Sequence, residues 1–248
     1  MSTSPVMTPR PMEPLDESTF RSVLVVVAHP DDIEYGMAAA VDRWVKAGKT
    51  VSYLLASRGE AGIDTMNPSE AGPVREAEER AGAKVVGVDV VDFLDFHDGV
   101  IEYGVPLRRE LCRVMRMRRP DCVVSQGHDV RFMNMLSQSD HRAVGLATLD
   151  AVRDCGNRWI FADLSDEGVE PWTGIKTVLV VASPVATHFV DVADNLEPAI
   201  ASLEAHHAYN DALPADFPKP RDLVTMILGM PAESTGLPYS VAFERLQA

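Results

Sequence analysis

The stretch Val23-Leu24-Val25-Val26-Val27-Ala28-His29-Pro30-Asp31-Asp32 decides the reading of this chain. Its first six residues are continuously apolar and rich in β-branched side chains. That is the pattern of a strand covered on both faces in a parallel sheet. The polar turn that follows stands at the strand's carboxyl end. From Ile33 to Ala47 apolar residues fall at helical spacing, and Gly48 closes the segment.

Outward from this unit, strands and helices alternate. Thr50 to Ala56 reads as a second strand. The polar loop Ser57 to Gly72 leads to Pro73, well placed as the first residue of a helix running to about Val86. Asp89 to Leu94 and Asp121 to Ser125 read as strands, Pro106 to Arg118 and Asp140 to Cys155 as helices. Lys176 to Ala182 and Thr187 to Val192 are strands separated only by a short Ser183-Pro184 turn. That is too close for a helical crossover, so one of this pair is expected to run antiparallel. Asp194 is placed to cap a last long helix ending near His207, and the proline-rich stretch Leu213 to Arg221 is expected to wrap the surface. The alternation predicts an α/β fold, a Rossmann-like three-layer sandwich with a mostly parallel sheet and helices on both faces. Residues 1–20 read as a flexible N-terminal arm, and 21–248 as a single domain with a proline-rich C-terminal extension.

Across 248 residues the chain carries 23 Lys and Arg against 37 Asp and Glu, a formal charge of −14. That balance argues against a nucleic-acid backbone or an anionic membrane surface as partner. A hydrophobic content of 46% excludes a disordered chain. No apolar run approaches the roughly 20 residues needed to span a bilayer. Cys112, Cys122 and Cys155 lack CxxC spacing, which disfavours a disulfide framework and a thiolate zinc site. A cytoplasmic location is expected, since free thiols suit a reducing compartment and Met1 to Asp16 has no secretory apolar core. Neither a phosphate-binding glycine motif nor a serine-nucleophile elbow appears.

Ligands of open α/β sheets bind beyond the carboxyl ends of the strands. His29, Asp31 and Asp32 lie there, one imidazole and two carboxylates within four residues. One carboxylate could ligate a metal while the other serves as base; equally, either could simply cap the next helix. Gln138-Ser139-Asp140-His141 follows the loop Gln126 to Leu136, so His141 falls in a first helical turn at the same sheet edge. His29, Asp32 and His141 together make a two-histidine, one-carboxylate set suited to zinc.

Val26-Val27-Ala28-His29-Pro30-Asp31-Asp32 with Ser139-Asp140-His141-Arg142-Ala143-Val144-Gly145 resembles the PIG-L/LmbE-like de-N-acetylase family, over about Val23 to Asp191. The resemblance includes Arg75-Glu76-Ala77-Glu78-Glu79, Asp92-Phe93-Leu94, Asp98-Gly99 and Arg119-Pro120-Asp121. It implies a zinc-dependent hydrolase that removes an N-acetyl or N-acyl group from an amino-sugar conjugate of the N-acetylglucosamine type. By position it implies His29, Asp32 and His141 as zinc ligands, Asp31 as general base, and Arg75 and Asp98 as residues that hold the sugar. The residues themselves also allow Arg75 to pair with Glu79, and Asp98-Gly99 to make a turn. The expected partner is a small-molecule N-acetyl amino-sugar conjugate, with no nucleic acid and no membrane insertion. A homo-oligomer stays open.

The family usually has histidine three residues before the last ligand, where this chain has Gln138. Glutamine can steady an oxyanion through its amide but cannot titrate. Asp140, which in the family orients that histidine, is expected to contact His141 instead. Gln138 admits two further readings: a plain helix cap, or a metal-containing sugar-binding protein with weakened catalysis. A non-haem iron oxygenase would share the ligand set but leave Asp31 unexplained. Among the other histidines, His97 and His128 follow strands and could reach the site, His188 lies within a strand, and one of His206 and His207 could face the pocket.

Overall fold

The computed structural model describes residues 11–132 and 135–248. Met1 to Arg10 of the expected arm and Met133-Asn134 of the loop before Gln138 lie outside the described residues. The first elements are β1 (Glu13–Pro14), β2 (Ser22–Val27), α1 (Ala38–Lys46), β3 (Thr50–Leu55), α2 (Pro68–Val85), β4 (Val90–Phe93), α3 (Val105–Arg118) and β5 (Cys122–Ser125). A short hairpin, β6 (Arg131–Phe132) with β7 (Met135–Leu136), precedes α4 (Ser139–Cys155) and the single turn α5 (Asp163–Asp166). Then come β8 (Thr177–Val181), β9 (His188–Asp191), α6 (Leu196–Glu204), α7 (His207–Ala212), α8 (Pro220–Gly229), α9 (Ala232–Thr235) and β10 (Ser240–Gln247).

Eight strands form one open sheet in the order β1-β9-β10-β8-β5-β2-β3-β4. Every neighbouring pair is parallel except the two that involve β10. The side chains of β2 alternate between two cores. Val23, Val25 and Val27 pack with α1, α6 and α8, and Leu24, Val26 and Ala28 pack with α3 and α4. Each buried aliphatic side chain contributes roughly 1.5–3 kcal/mol by leaving water, which is why this strand carries no polar residue after Ser22. The fold is therefore the expected Rossmann-like α/β sandwich. Among the described residues, no helix is long and apolar enough to cross a membrane.

Several elements differ from the sequence reading. The helix expected from Ile33 starts at Ala38, because the Ile33 carbonyl gathers the N–H groups of Gly36, Met37 and Ala38 in a tight turn. α2 begins at Pro68 rather than Pro73. The Asn67 side chain caps it by accepting the Ser69 N–H, and Pro73 is carried inside the helix. β8 and β9 both run with the parallel strands. The antiparallel member is β10, which lies between them, so the chain beyond the proline-rich stretch returns to the sheet. Asp194 sits within a 3-10 turn and caps nothing through its side chain; the long helix expected there is broken between α6 and α7. The described part of the expected flexible arm is tied down, with Glu13-Pro14 paired to His188-Phe189 and Phe20 buried.

β2 and β5 are neighbours, but the chain continues from β2 toward β3 and β4 on one side and from β5 toward β8 on the other. Their carboxyl ends open the crevice where ligands of such sheets bind. The turn after β2 and the start of α4 both border it.

Candidate metal centre

Three side chains converge in this crevice. His29 Nδ1 lies 3.5 Å from Asp32 Oδ2, and His141 Nε2 lies 3.0 Å from Asp32 Oδ1. One ligand atom from each of the three lies within 4.8 Å of the others. The Pro30 turn makes this compact: Asp32 Oδ2 also accepts the His29 backbone N–H at 2.9 Å. His141 comes from the first turn of α4.

The other nitrogen of His29 faces the opposite way. Nε2 lies 3.0 Å from Asp98 Oδ1 and 3.2 Å from Asp140 Oδ2. Both carboxylates are anchored by backbone. Asp140 accepts the N–H of Gly99 at 2.7 Å and of Ile101 at 3.2 Å, and Asp98 accepts that of Ala61 at 2.9 Å. Carboxylates on Nε2 leave Nδ1 for a metal, so His29, Asp98 and Asp140 support the first set rather than compete with it. This corrects one expectation. Asp140 reaches His29 and not His141, because the loop after β4 presents N–H groups that draw its side chain inward.

The donor set fits a divalent ion. His141 Nε2 is buried without a hydrogen-bond partner while aimed at a carboxylate, and imidazole with carboxylate suits zinc. The electrostatics agree. Burial opposes a charge on His29, but Asp140, Asp32 and Asp98 outweigh it and push its pKa up to about 12. Burial also works against ionised Asp32, yet His141 and His29 hold its carboxyl well below the usual range. The cluster is short of positive charge.

Asp31 is set apart. Its backbone is left-handed, with φ of +83°, and its Oδ2 lies 3.3 Å from Arg75 Nη2. Arg75 is buried and donates to the Pro30 carbonyl at 2.6 Å and the Gly59 carbonyl at 2.9 Å. Gly59, at φ of +62°, makes room for it: a Cβ there would stand 2.2 Å from Arg75 Nη1. Burial raises the Asp31 pKa, Arg75 opposes and Asp32 adds to it, and the balance lies at about 6.

Glu79, which the sequence reading treated only as a partner for Arg75, accepts the Asp31 N–H at 3.1 Å. Behind it lie Glu34 and His206, both fully buried. His207 is on the exposed side of the same junction, and His97 is exposed beside Glu60 at 3.6 Å. Gln138 is exposed at the N-cap of α4, and its side chain makes no capping hydrogen bond.

Residues 24–152 match the family described as PIG-L: GlcNAc-PI de-N-acetylase. The chain is 28% identical over 194 residues to the diacetylchitobiose deacetylase of Thermococcus kodakarensis, covering 76% of this chain and 70% of that protein. It is 27% identical over 141 residues to a probable N-acetyl-alpha-D-glucosaminyl L-malate deacetylase 2 of Bacillus anthracis, covering 53% and 59%. Its fold is similar to that of N,N'-diacetylchitobiose deacetylase from Pyrococcus horikoshii, with a TM-score of 0.84 at 22% identity, covering 92% of this chain and 85% of that one. GalB, the 4-carboxy-2-hydroxymuconate hydratase from Pseudomonas putida KT2440, is also similar, with a TM-score of 0.72 at 17% identity, covering 91% and 96%. Fold alone therefore does not fix the reaction. The family match spans just over half of the sequence and takes in His29, Asp31, Asp32, Arg75, Asp98 and His141; the chain belongs to the PIG-L family of de-N-acetylases.

Proposed function

We propose that this protein is a zinc-dependent hydrolase that removes an N-acetyl, or other N-acyl, group from a small amino-sugar conjugate. The observation that carries this reading is the split between adjacent carboxylates: Asp32 joins His29 and His141, while Asp31 is buried beside Arg75 with a pKa near 6. The substrate class is supported by the relatives, named as deacetylases of diacetylchitobiose and of N-acetyl-glucosaminyl malate.

A zinc ion held by His29 Nδ1, Asp32 and His141 would supply Lewis acidity, acidifying a water and polarising the amide carbonyl. Asp31 takes the water's proton on a carboxylate oxygen; with a pKa near 6 it is ionised at neutrality and still basic. Arg75 keeps that carboxylate from swinging toward His29. The Gln138 amide donates to the developing oxyanion from the start of α4. Protonated Asp31 then gives its proton to the departing nitrogen as the C–N bond breaks, releasing acetate and a free amine. Asp98 and Asp140 hold the Nε2–H of His29 and fix its ring. In this reading Arg75 and Asp98 act through Asp31 and His29 rather than by gripping the sugar, in keeping with their inward contacts.

Zinc-loaded protein given N,N'-diacetylchitobiose or N-acetylglucosaminyl glycosides should release acetate and expose a primary amine. Binding of these sugars without acetate release would favour the sugar-binding reading that Gln138 raises. Absence of both binding and acetate release would sink the proposal.

A further inference from the structure

The Pro30–Asp31 peptide group is held at both poles by one helix. Arg75 Nη2 donates to the Pro30 carbonyl at 2.6 Å, and Glu79 Oε2 accepts the Asp31 N–H at 3.1 Å. Arg75 and Glu79 stand one turn apart on α2, at 2% and 0% exposure. A carbonyl and the next N–H along the chain belong to one planar amide, so these two contacts fix the orientation of that plane. The orientation in turn sets φ of Asp31, which is +83° although the residue carries a side chain. Such a conformation persists only where the surroundings over-determine it. Glu79 is itself packed from behind. His206 Nε2 lies 3.9 Å from Glu79 Oε2 and 3.7 Å from Glu34 Oε2, and Ser202 Oγ donates to Glu34 Oε1 at 3.0 Å. Gly82 leaves room for this packing, since a Cβ there would lie 2.9 Å from the Ser202 carbonyl and 3.1 Å from His206 Nε2.

We propose that Glu79 is a positioning residue for Asp31: with Arg75 it clamps the Pro30–Asp31 peptide, and Glu34 and His206 back it, so that the base faces Arg75 and stays out of the metal set. This role rests on the reading of Asp31 as general base. It depends on the reach of the Glu79 oxygen, not on its charge. Burial, with Glu34 nearby, pushes the Glu79 carboxyl above its ordinary range, so a neutral amide is a close replacement.

Two variants separate reach from charge. Glu79→Gln keeps an oxygen at the same distance, and Glu79→Asp keeps the carboxylate but withdraws it by one methylene. Both should bind about one zinc per chain with KM unchanged. The kcat of Glu79→Gln should stay within about threefold of wild type, and that of Glu79→Asp should fall roughly 10–100-fold, the cost of an ångström-scale misplacement. Crystal structures should keep Asp31 left-handed in Glu79→Gln and not in Glu79→Asp. Wild-type kcat in Glu79→Asp, or a collapse in Glu79→Gln, overturns the clamp. Lower yield of both variants with kcat per folded molecule unchanged also overturns it, in favour of a purely structural role. Were wild type inert toward every N-acetylated sugar, the functional reading would fail by itself, and the Asp31 backbone in the two variants would still decide the clamp.

Discussion

Asp31 and Asp32 are neighbours in the chain with side chains only 5% and 10% exposed, yet they live in different surroundings. Asp32 faces two imidazoles, which hold its carboxyl well below the usual range. Asp31 is turned by its left-handed backbone toward Arg75, and burial lifts it to about 6. In the proposed mechanism, two identical groups on adjacent residues thus divide ligation and proton transfer according to what each faces. The left-handed Asp31 backbone, held through the Pro30–Asp31 peptide, is the partition.

The sharpest way to break this contrast is to remove the ligand side. His29→Ala or Asp32→Ala should abolish zinc binding, from about one ion per chain to none, and reduce turnover to background; metal analysis showing full occupancy would refute the assignment. On the other side, Asp31→Asn should keep the zinc while kcat falls by roughly 10²–10⁴-fold. Loss of zinc from Asp31→Asn but not from Asp32→Asn would mean that the two roles are reversed.

The same substitution sharpens the comparison in metal-stripped protein. An acid whose folded pKa is raised, here from 3.8 to about 6, binds its proton more tightly when folded. Its stabilising effect is complete below about pH 4 and is lost as pH rises through about 6. About two units correspond to about 3 kcal/mol at most. Chelated Asp31→Asn should therefore match wild type near pH 4 and exceed it by up to about 3 kcal/mol at pH 7, read by urea unfolding at each pH. A pH-independent difference would show that Asp31 is not strained in its charged form. The smallest effect belongs to Gln138. With no capping bond to lose, Gln138→Ala should change stability by less than about 0.5 kcal/mol. Its kcat should fall roughly 10–100-fold, below the usual ~10²–10³-fold for an oxyanion donor because the side chain is exposed.

What could be read from the sequence was local. The apolar run into His29-Pro30-Asp31-Asp32 placed β2 and its turn, and the distance from Ser125 to His141 placed the second histidine at the same sheet edge. Partners that depend on distant packing were not legible. Asp140 sits beside His141 in sequence, and only the course of the loop through Gly99 and Ile101 sends it to His29. Glu34 and Glu79 carry no local signal, since a glutamate one turn from an arginine usually marks a solvated helix face, and the sequence offers His206 only as one of a pair with His207. Burial by α6 and α7 is what gives them a role. β10 was missed because Ser240 to Gln247 interrupts its apolar residues with the charged pair Glu244-Arg245, unlike the continuous runs of the parallel strands, and follows a proline-rich stretch that reads as surface.

The place of β10 bears on how the molecule is made. Among the described residues, β9, and β1 beyond it, join the sheet only through this strand, which follows the other described strands in the sequence. Until it arrives, one edge of β8 is open, with unpaired backbone groups, and β9 has no link to the rest of the sheet. Both histidines of the proposed metal centre have been synthesised by residue 141, so a nascent chain can expose them while still lacking the strand that joins β8 to β9. A strand that follows the others of the sheet in sequence thus takes third place in its order, and until it is in place the unpaired β8 edge is a site for aggregation.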